Sequence, residues 1–518
     1  MSSEETASVQ SSEKVQTSDV DHKRFSWLAL SPQVWGVLYV ILAVTFFPRV
    51  PASYNWDNFT YLDTAKKGEY FLSLGMGRSL FCTLNVLFER SASGLGLDPL
   101  FGAFRLGVIA GIGFQAIALF ILAPILARRI GLASAHVALA IYVTHSGVLV
   151  LTWGNWPENW STGLFLFSAA FLAWNRFGFV ARLCVGGAIA ILMILMKEAA
   201  TYYIPALVAI AAIETPSRWR LVKRATVATL WGASVVALSI AGYAALRIFQ
   251  EGLSHAIEMT YRNHLSLHTI GWGAIAQNLG RLFGAHRSMT AMCLLSLATL
   301  GRLVFAASHR RGQEPFFAIC TVAGLAILVP AILISFTGST TIASRYAIAL
   351  APGGALLAGA VFTRRMRTTE TVSWQKIGSI ALLGVLIALS IDRGFLAFYV
   401  KTTRHDAERY QRMLELRETP LAIGATPDAW PAHYLRLYAK PAHPAQHEWE
   451  ILWPSYEAEG LQCPTREWIQ KNLAQGRRIA VTPVVAKPSG LPFPEWLKSV
   501  CSENFSKDPS GWWISSPK

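Results

Sequence analysis

The chain has 518 residues, of which 53% are hydrophobic and only 15% are charged. Soluble globular proteins carry about 25% charged residues, so this composition excludes an ordinary soluble domain. The net charge of +15 does not indicate nucleic-acid binding, because most of the Lys and Arg residues lie in short segments between long apolar runs. That arrangement is typical of a protein with many membrane spans.

The N-terminal segment, residues 1–24, is rich in Ser, Glu, Gln and Thr and contains no apolar patch. We therefore predict that it is disordered and cytoplasmic. Lys23 and Arg24 lead directly into the first apolar run, and no cleaved signal peptide is evident. An uncleaved signal anchor is the simpler interpretation.

Residues 25–392 contain about eleven apolar runs, which predict an all-α membrane core. The runs lie near 30–47, 101–127, 132–152, 160–174, 182–197, 199–213, 226–247, 289–307, 315–336, 345–362 and 376–392. Six basic clusters between them fall on one side of the membrane if the N-terminus is cytoplasmic. The pattern predicts a multi-pass protein of the plasma (inner) membrane with an extracytoplasmic C-terminus.

The C-terminal region, residues 393–518, is polar enough to form a small extracytoplasmic domain. Segments 421–425 and 478–484 are typical of strands, and 464–475 is typical of a helix that ends before Gly476. We therefore predict a small α/β domain. Cys463 and Cys501 can pair there, since an extracytoplasmic compartment permits disulfides.

The first outer loop, residues 48–100, contains the most informative chemistry. A short helix is predicted to begin at Asp57 or just after it, where the carboxylate can cap unpaired N–H groups. A second helix is predicted after Gly77, and its apolar stripe places it flat in the membrane interface. The stripe consists of Leu80, Phe81, Leu84, Leu87 and Phe88. The loop is thus predicted to hold an acidic group just above the bilayer.

This arrangement resembles the GT-C class of membrane glycosyltransferases, which includes protein O-mannosyltransferases and the aminoarabinose transferase that modifies lipid A. Members have a multi-span core with juxtamembrane helices and an acidic residue in the first outer loop, and they use polyprenyl-phosphate-linked sugars. The resemblance covers about residues 30–365 and rests on three local matches. They are Trp56-Asp57 followed by Tyr61-Leu62, Lys197-Glu198 followed by Pro205, and Ser344-Arg345-Tyr346 followed by Pro352.

Two positions depart from the pattern of the class. Many members have an Asp-Glu pair where this chain has Asp57 and Asn58. Many also have a His-Pro-Pro or related motif where this chain has Gly77, Arg78 and Ser79.

The resemblance implies an inverting glycosyltransferase that moves a sugar from a polyprenyl-phosphate donor to a hydroxyl of a lipid, glycan or protein acceptor. Asp57 is the candidate base, which must lie within hydrogen-bond reach of that hydroxyl. Arg78 and Arg345 are candidate phosphate ligands, because a guanidinium binds phosphate oxygens bidentately. Further candidate substrate-binding residues are Lys66, Glu158, Lys197 and Tyr346. No cofactor is expected, and a metal-independent reaction is favoured over one with a divalent metal, since no Asp-x-Asp or Glu-x-x-Glu motif lies near the site.

Each candidate also has a purely structural interpretation. Asp57 is compatible with a helix cap and no more. Lys197 and Glu198 are compatible with a solvated ion pair at a tight outer turn, and Arg345 with a side chain that extends to the membrane interface. Glu158 lies in a turn rich in Trp, which marks membrane interfaces or stacks on sugar rings.

Other polar residues carry weaker signals. Asp63 is expected to be an exposed partner of Lys67, four residues later. His264 and His268 share a helical face, as metal ligands require, but no third ligand is clear and an ordinary loop is favoured.

Two other functions remain open: a transporter or lipid flippase of the cell envelope, and a non-catalytic assembly factor. Transporters place ionisable residues and broken helices near the membrane midplane. Here the charges cluster at the outer mouth, although Arg105 and Gln115 lie within the second apolar run. The substitution Asp57→Asn separates the alternatives, because an assembly factor tolerates it and a transferase that relies on this base does not.

Overall fold

A computed structural model describes the chain at residues 31–45, 47, 56–67, 78–97, 101–216, 219–254, 314–335, 348–367 and 393–416, and at shorter stretches within 273–279 and 421–516. The predicted disordered segment 1–24 and the predicted spans 289–307 and 376–392 lie outside these residues.

Helices dominate the described residues. They are α1 Val34–Thr45, α2 Trp56–Lys67, α3 Ser79–Gly94, α4 Gly102–Ile130, α5 Leu132–Thr144, α6 Ser146–Trp153, α7 Pro157–Ala173, α8 Phe179–Met196, a 3-10 helix Glu198–Tyr203, α9 Ile204–Glu214, α10 Leu221–Glu251, α11 Glu314–Ser335, α12 Ala351–Arg367, α13 Arg393–Glu415 and α14 Arg466–Ala474.

Three of these helices are long and apolar enough to cross a membrane: α4, α8 and the Leu221–Leu246 part of α10. A fourth span results if α5 and α6, which meet at an angle of 50°, are counted together. The described residues therefore do not provide the eleven full-length spans predicted from the sequence. Among the described residues, a polar residue breaks one predicted run, and another ends a second run. His145 is extended and accepts a hydrogen bond from the Gly147 amide, and Lys197 is extended between α8 and the 3-10 helix.

Polar contacts distinguish the two ends of the helical bundle. Arg129 at the end of α4 forms an ion pair with Glu214 at the end of α9 and donates to the last turn of α7. Arg182 in the first turn of α8 lies 3.2 Å from the same Glu214 carboxylate. Arg128, Arg129, Arg182 and Glu214 therefore share one end, which we call the basic face. The opposite end, with Glu158 at the start of α7 and the turn after α8, is called the site face.

Small residues bring α4 close to the turn before α7. A Cβ atom on Gly107 would overlap the side-chain amide nitrogen of Asn155, whose own φ of 48° is in the left-handed region. One turn further, Gly111 faces Asn159. Gln115 is fully buried and donates to the Asn159 carbonyl at 2.7 Å, so this polar group of the second apolar run joins two helices.

The C-terminal region contains a five-stranded mixed sheet in the order β2-β1-β3-β5-β4. The strands are β1 Leu421–Ile423, β2 Glu450–Ile451, β3 Arg478–Val481, β4 Phe505–Lys507 and β5 Trp513–Ser515. The first three are parallel, and β5 runs antiparallel to β3 and β4. Ile469 and Leu473 of α14 pack on Ile479 and Val481 of the sheet. The predicted small α/β unit is confirmed.

Helix α13 attaches this region to the helical core and was not predicted. Tyr399 stacks on Trp153 of α6 with ring centroids 5.5 Å apart, and Tyr410 contacts Phe101 at the same distance. Both tyrosines are buried.

Candidate functional site

The segment 48–100, predicted to be the first outer loop, contains α2 and α3, as predicted. Helix α2 begins at Trp56, one residue earlier than expected, so Asp57 lies inside its first turn. A carboxylate at that position is favourable beside the helix N-terminus. The Asp57 side chain lies outside the described part of the structure. On α3, Phe81 is buried against Tyr61 at 4.8 Å, whereas Leu87 of the predicted stripe is half exposed.

Two ion pairs hold α2 in place. Lys66 binds Glu89 of α3 at 2.7 Å, and Lys67 binds Asp63 at 2.7 Å. The predicted Asp63–Lys67 pair is thus present, but Asp63 is buried and not exposed. One oxygen of Asp63 also lies 3.9 Å from Nε2 of His433, in the C-terminal region. Lys66, a candidate substrate ligand, lies in a structural contact between the two loop helices.

Arg78 connects α2 to α3. It is the residue before α3, and its φ of 74° places a non-glycine residue in the left-handed region. Its guanidinium donates a hydrogen bond to the Tyr61 hydroxyl and lies 5.7 Å from the centre of that ring. Tyr61 is one helical turn after Asp57, so the two positions share one face of α2.

A buried ion pair lies beneath the loop. Nζ of Lys197 is 3.5 Å from Oε1 of Glu158 and 3.4 Å from Oε1 of Glu198. The Lys197 and Glu158 side chains are only 2% and 1% exposed. The alternative of a solvated ion pair is therefore wrong for Lys197. The Glu198 side chain is 42% exposed, but one of its carboxylate oxygens is buried.

The charged groups around Glu198 shift the pKa of its carboxylate. Burial of the carboxylate opposes ionisation, but the cations Lys197 and Arg78 outweigh it and lower the pKa of Glu198 to about 2. Arg78 therefore acts electrostatically on the turn after α8. We call Arg78, Glu158, Lys197 and Glu198 the charged cluster. It joins the outer loop to the site face of the bundle.

The tryptophan-rich turn around Glu158 has a structural role. Trp153 and Trp156 are buried. Trp153 donates to the Ala43 carbonyl at 2.8 Å, and Trp160 donates to the Asn155 side chain at 3.2 Å. These rings fix the start of α7 and do not mark a membrane surface. They place Glu158 in the first turn of α7, opposite Lys197.

Several predicted residues lie outside the described part of the chain, including Arg345, Tyr346, His264, His268, Cys463 and Cys501. Among the residues that the structure describes, no three His, Cys, Asp or Glu side chains are grouped as metal ligands. Sequence reasoning named Tyr61 and Glu198 in the motif matches but did not include them among the candidate site residues. Their positions were the available signal: Tyr61 lies one helical turn after Asp57, and Glu198 directly follows Lys197.

No protein-family model matches the sequence, and no curated protein does. Solved structures are similar in fold. ArnT from Cupriavidus metallidurans in the apo state has a TM-score of 0.51 at 13% identity, over 94% of this chain and 98% of that chain. ArnT of the same organism bound to undecaprenyl phosphate has a TM-score of 0.50 at 12% identity, over 93% and 98%. The fold is that of the GT-C glycosyltransferases.

A third similar structure is the archaeal oligosaccharyltransferase AglB from Archaeoglobus fulgidus in complex with an inhibitory peptide and a dolichol-phosphate. The match covers 95% of this chain and 75% of that chain, with 11% identity and a TM-score of 0.47. The GT-C resemblance inferred from short motifs is thus confirmed at the level of fold by the ArnT structures. In addition, three helices of the described residues are long and apolar enough to cross a membrane.

Proposed function

We propose that this GT-C chain is an inverting glycosyltransferase that moves a sugar from a polyprenyl-phosphate donor to an acceptor hydroxyl. The observation that carries the proposal is the position of Arg78. It binds Tyr61 on the helix that contains Asp57, and its charge acts on Glu198 beside the buried Lys197–Glu158 pair. An acid-bearing helix and two cations thus meet at one end of a GT-C fold.

The donor phosphate would bind at the start of α3. Arg78 precedes this helix, and a helix N-terminus attracts anions through its unpaired N–H groups and its dipole. The buried Ser79 hydroxyl at the first helical position has no hydrogen-bond partner among the described residues and would donate to a phosphate oxygen. Lys197 would add a second cation, which Glu158 holds in place. ArnT binds undecaprenyl phosphate, which supports this donor class.

The reaction then needs one proton transfer and one displacement. Asp57 would accept the proton of the acceptor hydroxyl as its oxygen attacks the anomeric carbon. The bond between that carbon and the phosphate oxygen breaks at the same time, with inversion. Polyprenyl phosphate leaves, and Arg78 stabilises its negative charge. Arg345 and Tyr346 would complete the phosphate site. The reaction would take place at the extracytoplasmic side of the plasma (inner) membrane.

A transporter or flippase has one observation in its favour, the 50° break between α5 and α6. Broken helices commonly form transport sites near the membrane midplane. Here the polar groups near the break bind one another. Thr152 bonds to Tyr39 at 2.6 Å and Gln115 to Asn159, so this region favours a packed core over a transport path.

The decisive experiment is deletion of the gene in its host, followed by mass spectrometry of envelope glycans and glycolipids. We expect one sugar increment to disappear, and its mass identifies the sugar. Wild-type protein should restore it and Asp57→Asn should not. The matched control is Asp63→Asn, the same change on the same helix at a residue paired with Lys67. Restoration by Asp57→Asn at equal membrane levels would exclude Asp57 as the base.

A further inference from the structure

An apolar cavity lies in the half of the bundle next to the basic face. Its volume is about 280 Å³, and its described lining comes from α4, α5, α7, α9, α11 and α12. Most of these side chains are aliphatic, for example Leu122, Ile210 and Leu356. Among the described lining residues, the charged ones are Arg129 and Glu214, both at the basic face. The cavity is thus apolar along its length and charged at one end.

An aromatic layer separates this cavity from the charged cluster. Phe165 lines the cavity and stacks on Tyr203 at 4.1 Å. The Tyr203 hydroxyl bonds to Thr162, which in turn donates to the Glu158 carbonyl at 2.8 Å. A lipid whose phosphate lies at the charged cluster would have to displace this layer to enter. The charged residues of the described lining, Arg129 and Glu214, lie instead at the basic face.

The shape and charge of the cavity identify the chemistry of its occupant. The lining extends along α4 from Leu119 to Arg129, which is about 15 Å at 1.5 Å per helical residue. That length and an aliphatic lining suit a hydrocarbon chain. Next to the lining residue Arg129, Arg128 is exposed, and Arg129 and Arg182 share a single carboxylate, that of Glu214. The charged end of the cavity thus has an excess of positive charge.

We propose that this cavity binds one acyl chain of an anionic phospholipid, taken from the membrane leaflet at the basic face, with the lipid phosphate beside Arg128. Guanidinium groups at the membrane surface attract anionic head groups. The site is distinct from the proposed donor site, and its occupation does not depend on glycosyl transfer.

The test uses the full chain in nanodiscs and a photoreactive phosphatidylglycerol that carries a diazirine near the end of one acyl chain. We expect cross-links to map to the cavity-lining parts of α4, α7 and α9. Ala169→Phe places a ring in the cavity and should reduce labelling about tenfold, because a filled apolar site cannot accept the chain. The matched control is Gly113→Phe on α4, where a Cβ atom meets open space, and its labelling should match the wild type.

The head group is tested separately. Arg128→Gln should remove the preference for the phosphatidylglycerol probe over an otherwise identical phosphatidylcholine probe. Size-exclusion profiles and melting temperatures report folding, and Ala169→Leu replaces Ala169→Phe if the larger residue does not fold. Unchanged labelling in the folded Ala169 variant, or equal labelling by both probes in the wild type, would overturn the proposal. Labelling of the cavity by a photoreactive polyprenyl phosphate in place of phosphatidylglycerol would also overturn it.

Discussion

Lys197 and Glu158 form an ion pair that water does not reach. A buried pair is costly to form, and removal of one partner leaves a charge without compensation in a poorly solvated place. The sequence indicated both residues separately, but not their contact. They lie at the ends of two different helices, and only the packing of α7 on α8 brings them together.

The first prediction concerns this pair. Lys197→Met should lower the free energy of unfolding by about 3–5 kcal/mol, because Glu158 stays buried and loses its cation. The double variant Lys197→Met/Glu158→Leu should recover most of that stability and stay inactive, since the cation is still missing. Thermal or denaturant unfolding followed by tryptophan fluorescence measures the first effect, and complementation the second. A cost below about 1 kcal/mol for Lys197→Met would mean that the pair is solvated.

The second prediction concerns pH. The pKa of Glu198 falls from an ordinary 4.5 to about 2 in the folded chain. The ionised carboxylate therefore stabilises the fold above about pH 4.5, and this contribution is lost as the pH falls from there toward 2. Arg78→Gln removes one of the two cations, so the pKa of Glu198 should rise, and the loss should be smaller and complete at a higher pH.

Melting temperatures between pH 2 and 6 provide the measurement for Glu198. The Glu198→Gln variant is the control and should lack this part of the acid transition. Identical profiles for the wild type and Arg78→Gln would show that Arg78 does not act on Glu198.

At the scale of elements, the close packing of α4 depends on Gly107. A Cβ atom there would overlap the Asn155 amide, which binds Asn85 and holds Trp160. We predict that Gly107→Ala lowers the free energy of unfolding by about 1–3 kcal/mol, as overpacking does. It should also lower turnover, because the turn that places Glu158 shifts.

The matched control for Gly107→Ala is Gly113→Ala, in the same helix α4. A methyl group at Gly113 meets open space, and alanine is a better helix former than glycine by about 1 kcal/mol. Gly113→Ala should therefore be neutral or slightly stabilising in the same unfolding assay. Equal losses in both variants would show that α4 tolerates no added side chain, whatever its contacts.

Helices and strands that follow from a local sequence pattern were predicted correctly. The stripe after Gly77 predicted α3, and short runs of β-forming residues predicted β1 and β3. The break at His145 was missed because Thr144, His145 and Ser146 were counted within one apolar run, 132–152. The cap there forms through a contact of one side chain with the backbone. The two helices of the segment 48–100 were predicted correctly. The contact of Arg78 with Tyr61 was not, because the left-handed φ of Arg78 has no sequence signal.

For the whole molecule, hydropathy predicted a membrane core but not how the C-terminal region attaches to it. The contacts of Tyr399 with Trp153 and of Tyr410 with Phe101 join residues far apart in sequence. The 3.9 Å approach of His433 to Asp63 adds a contact with the outer loop. The C-terminal region therefore packs against the same loop that contains Asp57, and α13 is the helix that holds it there.

The last prediction tests this attachment. Tyr410 is buried, so Tyr410→Ala should cost about 3 kcal/mol of local stability, which corresponds to roughly 100-fold faster amide exchange in 393–416. Glu408→Ala changes a side chain of α13 that is 53% exposed and should leave exchange unchanged. If the C-terminal region positions the acceptor, Tyr410→Ala should raise the acceptor concentration for half-maximal rate more than it lowers kcat. Faster exchange with unchanged acceptor kinetics would limit α13 to a structural role, and unchanged exchange would show that the Tyr410–Phe101 contact does not hold the helix.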